Sequence, residues 1–154
     1  MSDGSDTLYF TLIEHGSMTI IHTIRVYEFS RSSNQFVYVK RINELEMVHD
    51  RIVANIWFEN RIVVIHPITG AVTKSIQFDS PTDASTDSTA TDAVLNGIAA
   101  DVENGKLYIT GKLWHTIHVV QDRVSGNSSY VDYIRATDAN DGIDPHSSSL
   151  RCDS

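Results

Sequence analysis

Two stretches of this chain repeat one another about one blade-length apart, and that repeat constrains the fold more than any single motif. Residues 42–72 read INELEMVHDRIVANIWFENRIVVIHPITGAV, and residues 95–120 read LNGIAADVENGKLYITGKLWHTIHVV. Each opens with an apolar residue followed by asparagine. Each places a polar residue in a strand that also holds a tryptophan, Asn55 with Trp57 and Lys112 with Trp114. A shift of 54 places Leu8 on Ile62, Phe10 on Val64 and Gly16 on Gly70. A shift of 53 places Asn43 on Asn96, and a shift of 55 places Ile52 on Leu107 and Ile62 on Ile117. A fixed period of this size is the mark of a repeat architecture.

The repeating unit is built from strands. Runs at 8–10, 19–26, 36–39, 45–48, 52–57, 62–65, 72–78, 98–102, 106–110 and 117–120 are short and rich in β-branched or aromatic residues. No stretch holds a helical period of apolar positions. Turn residues stand at Gly16, Asn60–Arg61, Thr69–Gly70 and Asn104–Gly105, the last pair matching a type I′ hairpin. Between Asn43 and Phe78 there is room for four antiparallel strands, which is one propeller blade. The expectation is therefore an all-β fold, a partial β-propeller spanning 1–122, against the alternative of a small sandwich or meander. The acidic, Ser/Thr-rich segment 79–93 reads as an inter-blade loop, and 136–154 as a disordered polar tail.

Composition removes several function classes. The 154 residues suit one domain, and no apolar run reaches the roughly 20 residues of a membrane-spanning helix. A net charge of −8 disfavours duplex nucleic acid and anionic membrane surfaces, both of which attract basic faces. The single cysteine, Cys152, precludes an internal disulfide framework. Met1 is followed by Ser-Asp-Gly-Ser-Asp rather than by basic residues and an apolar stretch, so no signal peptide is read and the compartment stays open.

The histidines are scattered, without the three or four converging ligands that zinc needs, so no metal and no other cofactor is expected. No Gly-x-Ser-x-Gly elbow and no phosphate-binding glycine loop is present. What remains is a set of polar and aromatic residues at strand ends: Asn43, Trp57, Asn96, Lys112 and Trp114. Taken singly, each has a plain structural use, as turn former, packing residue or solvated cation. Taken together at one mouth, amide, cation and indole make an aromatic-walled polar pocket. Asn43 and Asn96 begin corresponding strands, so they are expected at the same end of the array.

The wording of these motifs resembles the plant-type glutaminyl-peptide cyclotransferases, the glutamine cyclotransferase family. The motifs are Asn-Glu-Leu-Glu at 43–46, Ala-Asn-Ile-Trp at 54–57, Pro-x-Thr-Gly at 67–70, Leu-Asn-Gly-Ile-Ala at 95–99 and Thr-Gly-Lys-x-Trp at 110–114. They follow the family's order with similar spacing over about residues 1–120. Ser-Asp-Gly-Ser at 2–5 is similar to its counterpart as well. The resemblance implies a five-bladed propeller, of which this chain carries about two and a half blades. It implies conversion of a peptide's N-terminal glutamine to pyroglutamate with loss of ammonia, without metal. Lys112 and Asn43 fall on catalytic positions, and Trp57, Asn96 and Trp114 on substrate-binding ones. Full-length relatives are often secretory.

Three departures bear on activity. The family's acid/base glutamate lies in earlier blades, so Glu44 and Glu46 are not promoted to that role. The family's Ile-Asp-Pro aspartate is His66 here, and a glycine usual near Asp50–Arg51 is replaced. The chain therefore looks like the C-terminal half of the fold, weakly active or inactive alone, with open blade edges that favour self-association. The alternative is a non-catalytic propeller fragment that binds a peptide or a partner protein.

Overall fold

The computed structural model describes residues 1–78 and 93–120. All its regular elements are strands: β1 (Thr7–Glu14), β2 (Ser17–Arg25), β3 (Tyr27–Ser30), β4 (Gln35–Tyr38), β5 (Ile42–Val48), β6 (Arg51–Ile56), β7 (Arg61–Ile65), β8 (Val72–Gln77), β9 (Leu95–Asp101), β10 (Lys106–Gly111) and β11 (His118–Val120). They form four open antiparallel sheets: β1-β2, β3-β4, the meander β5-β6-β7-β8, and β9-β10-β11. The four-stranded unit expected between Asn43 and Phe78 is this meander.

The central strands show why their sequence is continuously apolar. All six residues of β6 are buried, as are the last four of β7. Side chains of a strand alternate between its faces. Val53 of β6 with Ile62 and Val64 of β7 enter one core, shared with Leu95, Leu107, Ile109 and Val120 of the β9-β10-β11 sheet. Ile52, Ala54 and Ile56 with Val63 and Ile65 enter a second core, shared with Leu8, Ile24, Val26 and Val39. Sheets cover the meander on both faces, so an apolar/polar alternation would leave polar groups buried.

Three local expectations are corrected. Tyr27–Ser30 forms a strand just after the run at 19–26, where the sequence pattern gave none. The chain turns at Val26, which is fully buried, with its N–H donated to Asp6 and its C=O accepting from Val39. The Asn104–Gly105 turn is not type I′. Asp101 pairs with Lys106 across four loop residues, Asp101 accepts from the Asn104 N–H at 3.1 Å, and only Gly105 takes positive φ. The two-residue turn with both φ positive is at His15–Gly16 instead. The turn between β6 and β7 spans 57–60, with Phe58 left-handed, and Arg61 of the expected turn pair already opens β7. Of the segment 79–93 only Ala93 is among the described residues, and 136–154 lies outside them, as do the last residues of the span 1–122.

Gly70 closes the turn before β8 at φ 77°, and a Cβ there would sit 2.1 Å from the Arg25 carbonyl oxygen. Its own C=O accepts from the Tyr27 N–H at 3.0 Å. The turn therefore presses backbone to backbone on the corner that joins β2 to β3. Gly70→Ala should lower stability clearly more than Gly16→Ala. Both carry the left-handed strain of about 1–3 kcal/mol, but Gly16 faces open space, whereas Gly70 adds an overpacking cost of about 1–3 kcal/mol. Chemical denaturation of the two variants checks the order.

The base of β1-β2 is fastened by Asp6 and Arg25, with contacts of 3.2 Å from Nε and 2.7 Å from Nη2, while the guanidinium lies 3.5 Å over the Tyr38 ring. Hydrogen bonding from Arg25, helped by the Thr7 hydroxyl, holds the Asp6 carboxyl below its ordinary range. A carboxyl with a lowered folded pKa stabilises the fold above its unfolded value of about 3.9. That contribution is lost as pH falls through the lower folded value. The melting-temperature gap between wild type and Asp6→Asn should therefore be widest near neutrality and shrink as the pH drops below about 4.

Candidate functional site

The same irregularity occurs at the same place in two neighbouring sheets. Ile42 pairs with Ile56 and Leu45 with Ala54, so Asn43 and Glu44 share the space opposite Asn55. Leu95 pairs with Gly111 and Ile98 with Ile109, so Asn96 and Gly97 share the space opposite Thr110. Each is a β-bulge, which bends a strand and re-aims side chains. The repeat thus extends to the backbone, and each bulge begins with the asparagine that the sequence singled out.

The ends of the second strands match as well. The Trp57 N–H donates to the Arg41 C=O, and the Lys112 N–H donates to the Val94 C=O, both at 2.8 Å. The next residues, Phe58 and Leu113, take φ of 64° and 61°. The Glu59 N–H then donates to Ile56 at 3.0 Å and the Trp114 N–H to Gly111 at 3.2 Å. Trp57 and Lys112 therefore occupy one structural position in successive sheets. Left-handed Phe and Leu are uncommon, so nothing in the residue types announced these turns.

The two bulges touch. Asn43 Nδ2 donates to Asn96 Oδ1 at 2.7 Å. This bond uses one donor of Asn43 and one acceptor lone pair of Asn96. Among the described residues, Asn43 Oδ1 and Asn96 Nδ2 keep hydrogen-bonding capacity for another carboxamide. Trp57, 41% exposed, stacks on Phe58 at 4.7 Å between ring centroids. Lys112 is exposed, and Trp114 is half-buried against the β9-β10-β11 core with its ring edge toward His118 at 5.7 Å. Asn43 and Asn96 thus stand at one end of the sheets, as expected, with Trp57 and Lys112 on the strand ends beside them.

Two residues carry more structure than the sequence suggested. Asn55, fully buried, accepts the Glu44 N–H at 2.8 Å and donates to the Leu95 C=O at 2.6 Å. It satisfies the bulge that carries Asn43 and holds the strand start that carries Asn96. Its signal was a lone amide inside the apolar run VANIW. Glu46 Oε1 accepts the Ala100 N–H at 3.1 Å, tying β5 to β9 a second time. Sequence pattern held no sign of that bond. His115 lies outside β11, whereas His118 is buried within it and shares a 3.0 Å hydrogen bond with the Thr116 hydroxyl. Among the described residues no three His, Cys, Asp or Glu side chains gather to hold a metal ion.

Asn55→Leu should leave the Glu44 N–H and the Leu95 C=O unsatisfied, costing about 1–3 kcal/mol for each group. The paired change Glu44→Gly with Asn55→Thr copies the second bulge, where a Cβ on Gly97 would sit 2.6 Å from the Thr110 methyl. It should fold more stably than Asn55→Leu, yet lose the bond to Leu95. Denaturation curves and hydrogen exchange at the backbone amide of position 44 separate the two outcomes.

Comparison with known proteins gives consistent matches. A family model described as glutamine cyclotransferase matches residues 1–121. The chain is 31% identical over 121 residues to a glutaminyl-peptide cyclotransferase of Arabidopsis thaliana, covering 78% of this chain and 35% of that protein. The fold superposes on the crystal structure of Myxococcus xanthus glutaminyl cyclase with a TM-score of 0.58 and 34% identity, covering 75% of this chain and 47% of that one. The chain thus spans about a third of the first relative and about half of the second.

Proposed function

The chain belongs to the glutamine cyclotransferase family, and from that premise we propose that it is a glutaminyl-peptide cyclotransferase homologue. Its substrate is a peptide or protein with N-terminal glutamine. The single observation that carries this is the Asn43–Asn96 amide pair in matched bulges. It presents a carbonyl oxygen and an amino group, a pattern complementary to a glutamine side-chain amide. On the same footing, β5-β6-β7-β8 is one complete blade, β1-β2 the outer half of the blade before it, and β9-β10-β11 three strands of the blade after it. That makes about two and a half blades of a five-bladed propeller, supported by the repeated bulges and turns.

The chemistry assigns roles to these groups. The α-nitrogen of the glutamine attacks its own side-chain amide carbon, forming the ring C–N bond and an oxyanion. The bond to the amide nitrogen then breaks, a proton passes from the α-nitrogen to the leaving nitrogen, and ammonia departs. Lys112 and the second Nδ2 hydrogen of Asn43 donate to the oxyanion, the kind of preorganised contact whose removal costs about 10²–10³-fold in kcat. Trp57 and Trp114 wall the substrate in a folded, reactive conformer, and Asn96 orients its amide. Lys112 and Trp57 then share one cavity with Asn43 at its rim. No metal takes part in this scheme.

The proton carrier is not among these five residues. Glu46 is engaged by the Ala100 N–H. That engagement favours a second reading, in which these blades bind a peptide or partner chain without turning it over.

Ammonia release from a glutaminyl dipeptide, with and without chelator, tests the proposal. The 154 residues alone should turn over weakly or undetectably, because loss of a general acid/base costs about 10²–10⁴-fold. The glutaminyl peptide should still bind in preference to its glutamyl counterpart. In an assembly that does turn over, Lys112→Ala should lower kcat more than it raises KM. Equal binding of the two peptides would remove the site assignment, and robust turnover by this chain would return attention to Glu44 and Glu46. Activity abolished by chelator and restored by zinc would contradict the metal-free scheme.

A further inference from the structure

We propose that Gly111 is a positioning residue of the glutamine site: by carrying no side chain it lets the Trp114 indole fold onto its backbone, and this clasp holds the turn on which Lys112 stands. The role rests on the cyclotransferase reading of the site, and it adds a residue that has no side chain of its own to touch a substrate.

Two matched turns are held by different means. Gly111 pairs with Leu95 as Ile56 pairs with Ile42, so Gly111 and Ile56 stand at one position in successive sheets. The turns that follow, 56–59 and 111–114, each put a bulky residue in the left-handed conformation, Phe58 at φ 64° and Leu113 at φ 61°. Such strain persists only where the surroundings over-determine it. In the first turn the fourth residue is Glu59, whose carboxylate takes Arg41 at one oxygen and Arg61 at the other, both at 2.9 Å. In the second turn the fourth residue is Trp114, which has no charge to pair. It holds the turn by contact.

That contact is with Gly111 itself. A Cβ on Gly111 would overlap Cδ2, Cε2 and Nε1 of the indole, so the ring occupies the place that a side chain would take. Gly111 is not among the glycines with positive φ. Space, and not backbone conformation, calls for glycine here. The indole also packs on the β9-β10-β11 core and meets His118 at 5.7 Å. Among the described residues its Nε1 is buried without a hydrogen-bond partner, so packing fixes the ring. The Thr110 hydroxyl donates to the Thr116 C=O at 3.0 Å and closes the loop that carries it.

Lys112 is the second residue of this turn, with its N–H donated to the Val94 C=O at 2.8 Å. A methyl on Gly111 displaces the indole, releases the turn at its fourth residue and so moves Lys112 and Trp114 together. A binding constellation tolerates little such movement, because its groups work only when their support holds them in place.

The chain has two tryptophans, so the clasp can be observed directly. The indole N–H resonances of the 154-residue chain are assigned with Trp57→Phe, and hydrogen exchange at Trp114 Nε1 is followed. Exchange should be slow in wild type and about tenfold or more faster in Gly111→Ala. Gly111→Ala should also weaken the glutaminyl peptide by about tenfold, the scale of coupling between groups in contact, and bring it level with its glutamyl counterpart. In a Trp114→Ala background the same methyl has nothing to displace and should change binding by less than about twofold. Gly16→Ala, on the β1-β2 hairpin, should lower the melting midpoint and leave both readouts as in wild type, which separates the clasp from lost stability. If Gly111→Ala alone does not fold, the double variant with Trp114→Ala should; a double variant that also fails overturns the clasp. Unchanged exchange at Trp114, or a preference for the glutaminyl peptide that survives in Gly111→Ala, overturns the role of Gly111 alone. A wild-type chain that binds both peptides alike overturns the cyclotransferase reading, and the part of Gly111 in that site falls with it.

Discussion

The arrangement of this molecule turns on one buried amide. A bulge leaves a backbone N–H without a strand partner, and an unsatisfied buried donor costs as much as many packing contacts contribute. Asn55 answers the Glu44 N–H from the facing strand and with its other end reaches the Leu95 C=O of the next sheet. One side chain thus makes the first bulge tolerable and fixes where the second begins. Glu46 repeats the link at the Ala100 N–H, and Asn43 with Asn96 completes it. Antiparallel sheets join their own strands through backbone bonds. These two sheets are joined to each other by side-chain amides and a carboxylate over a shared apolar core.

That seam explains why polar and apolar demands do not conflict in β6. Val53 faces one core while Ala54 and Ile56 face the other. Asn55, at a position that alternation would make apolar, is tolerated because both of its polar ends are spent. The meander is covered on both sides and is the most protected part of the fold. The outer hairpins are covered on one side or at one end, and the exposed apolar residues of β1-β2 and of β3-β4 follow from that position in the stack.

The proposed site grows from the same feature. Bulges and left-handed turns are local strain, and here they recur at the residues of the proposed site, at Asn43 and Asn96 and beside Trp57 and Lys112. A regular strand would send Asn43 and Glu44 to opposite faces. The bulge changes that aim while leaving the pairing of Leu45 and Met47 with β6 intact. Equivalent backbone positions then carry different side chains, an indole in one sheet and an ammonium in the next. An internal repeat can in this way furnish a site with unlike groups around one centre.

Ten of the eleven strands among the described residues were legible as β-branched runs between turn residues, and the period carried the correspondence of Asn43 with Asn96. β3 was not legible, because the break at Val26 is made by tertiary hydrogen bonds to Asp6 and Val39 rather than by a turn residue. The left-handed turns at Phe58 and Leu113 were hidden for a related reason: their residue types oppose the conformation, and packing overrides them. Asn55 could be seen as an anomaly but not as a bridge, since its partner Leu95 lies in another sheet. By itself, then, the sequence determined strand content, period, family and the residues to watch, all of which follow from local pattern. Which residues meet across sheets and where the bulges fall were decided only by tertiary structure. Those depend on how separately formed sheets stack and satisfy one another's unpaired groups, and no local pattern records that.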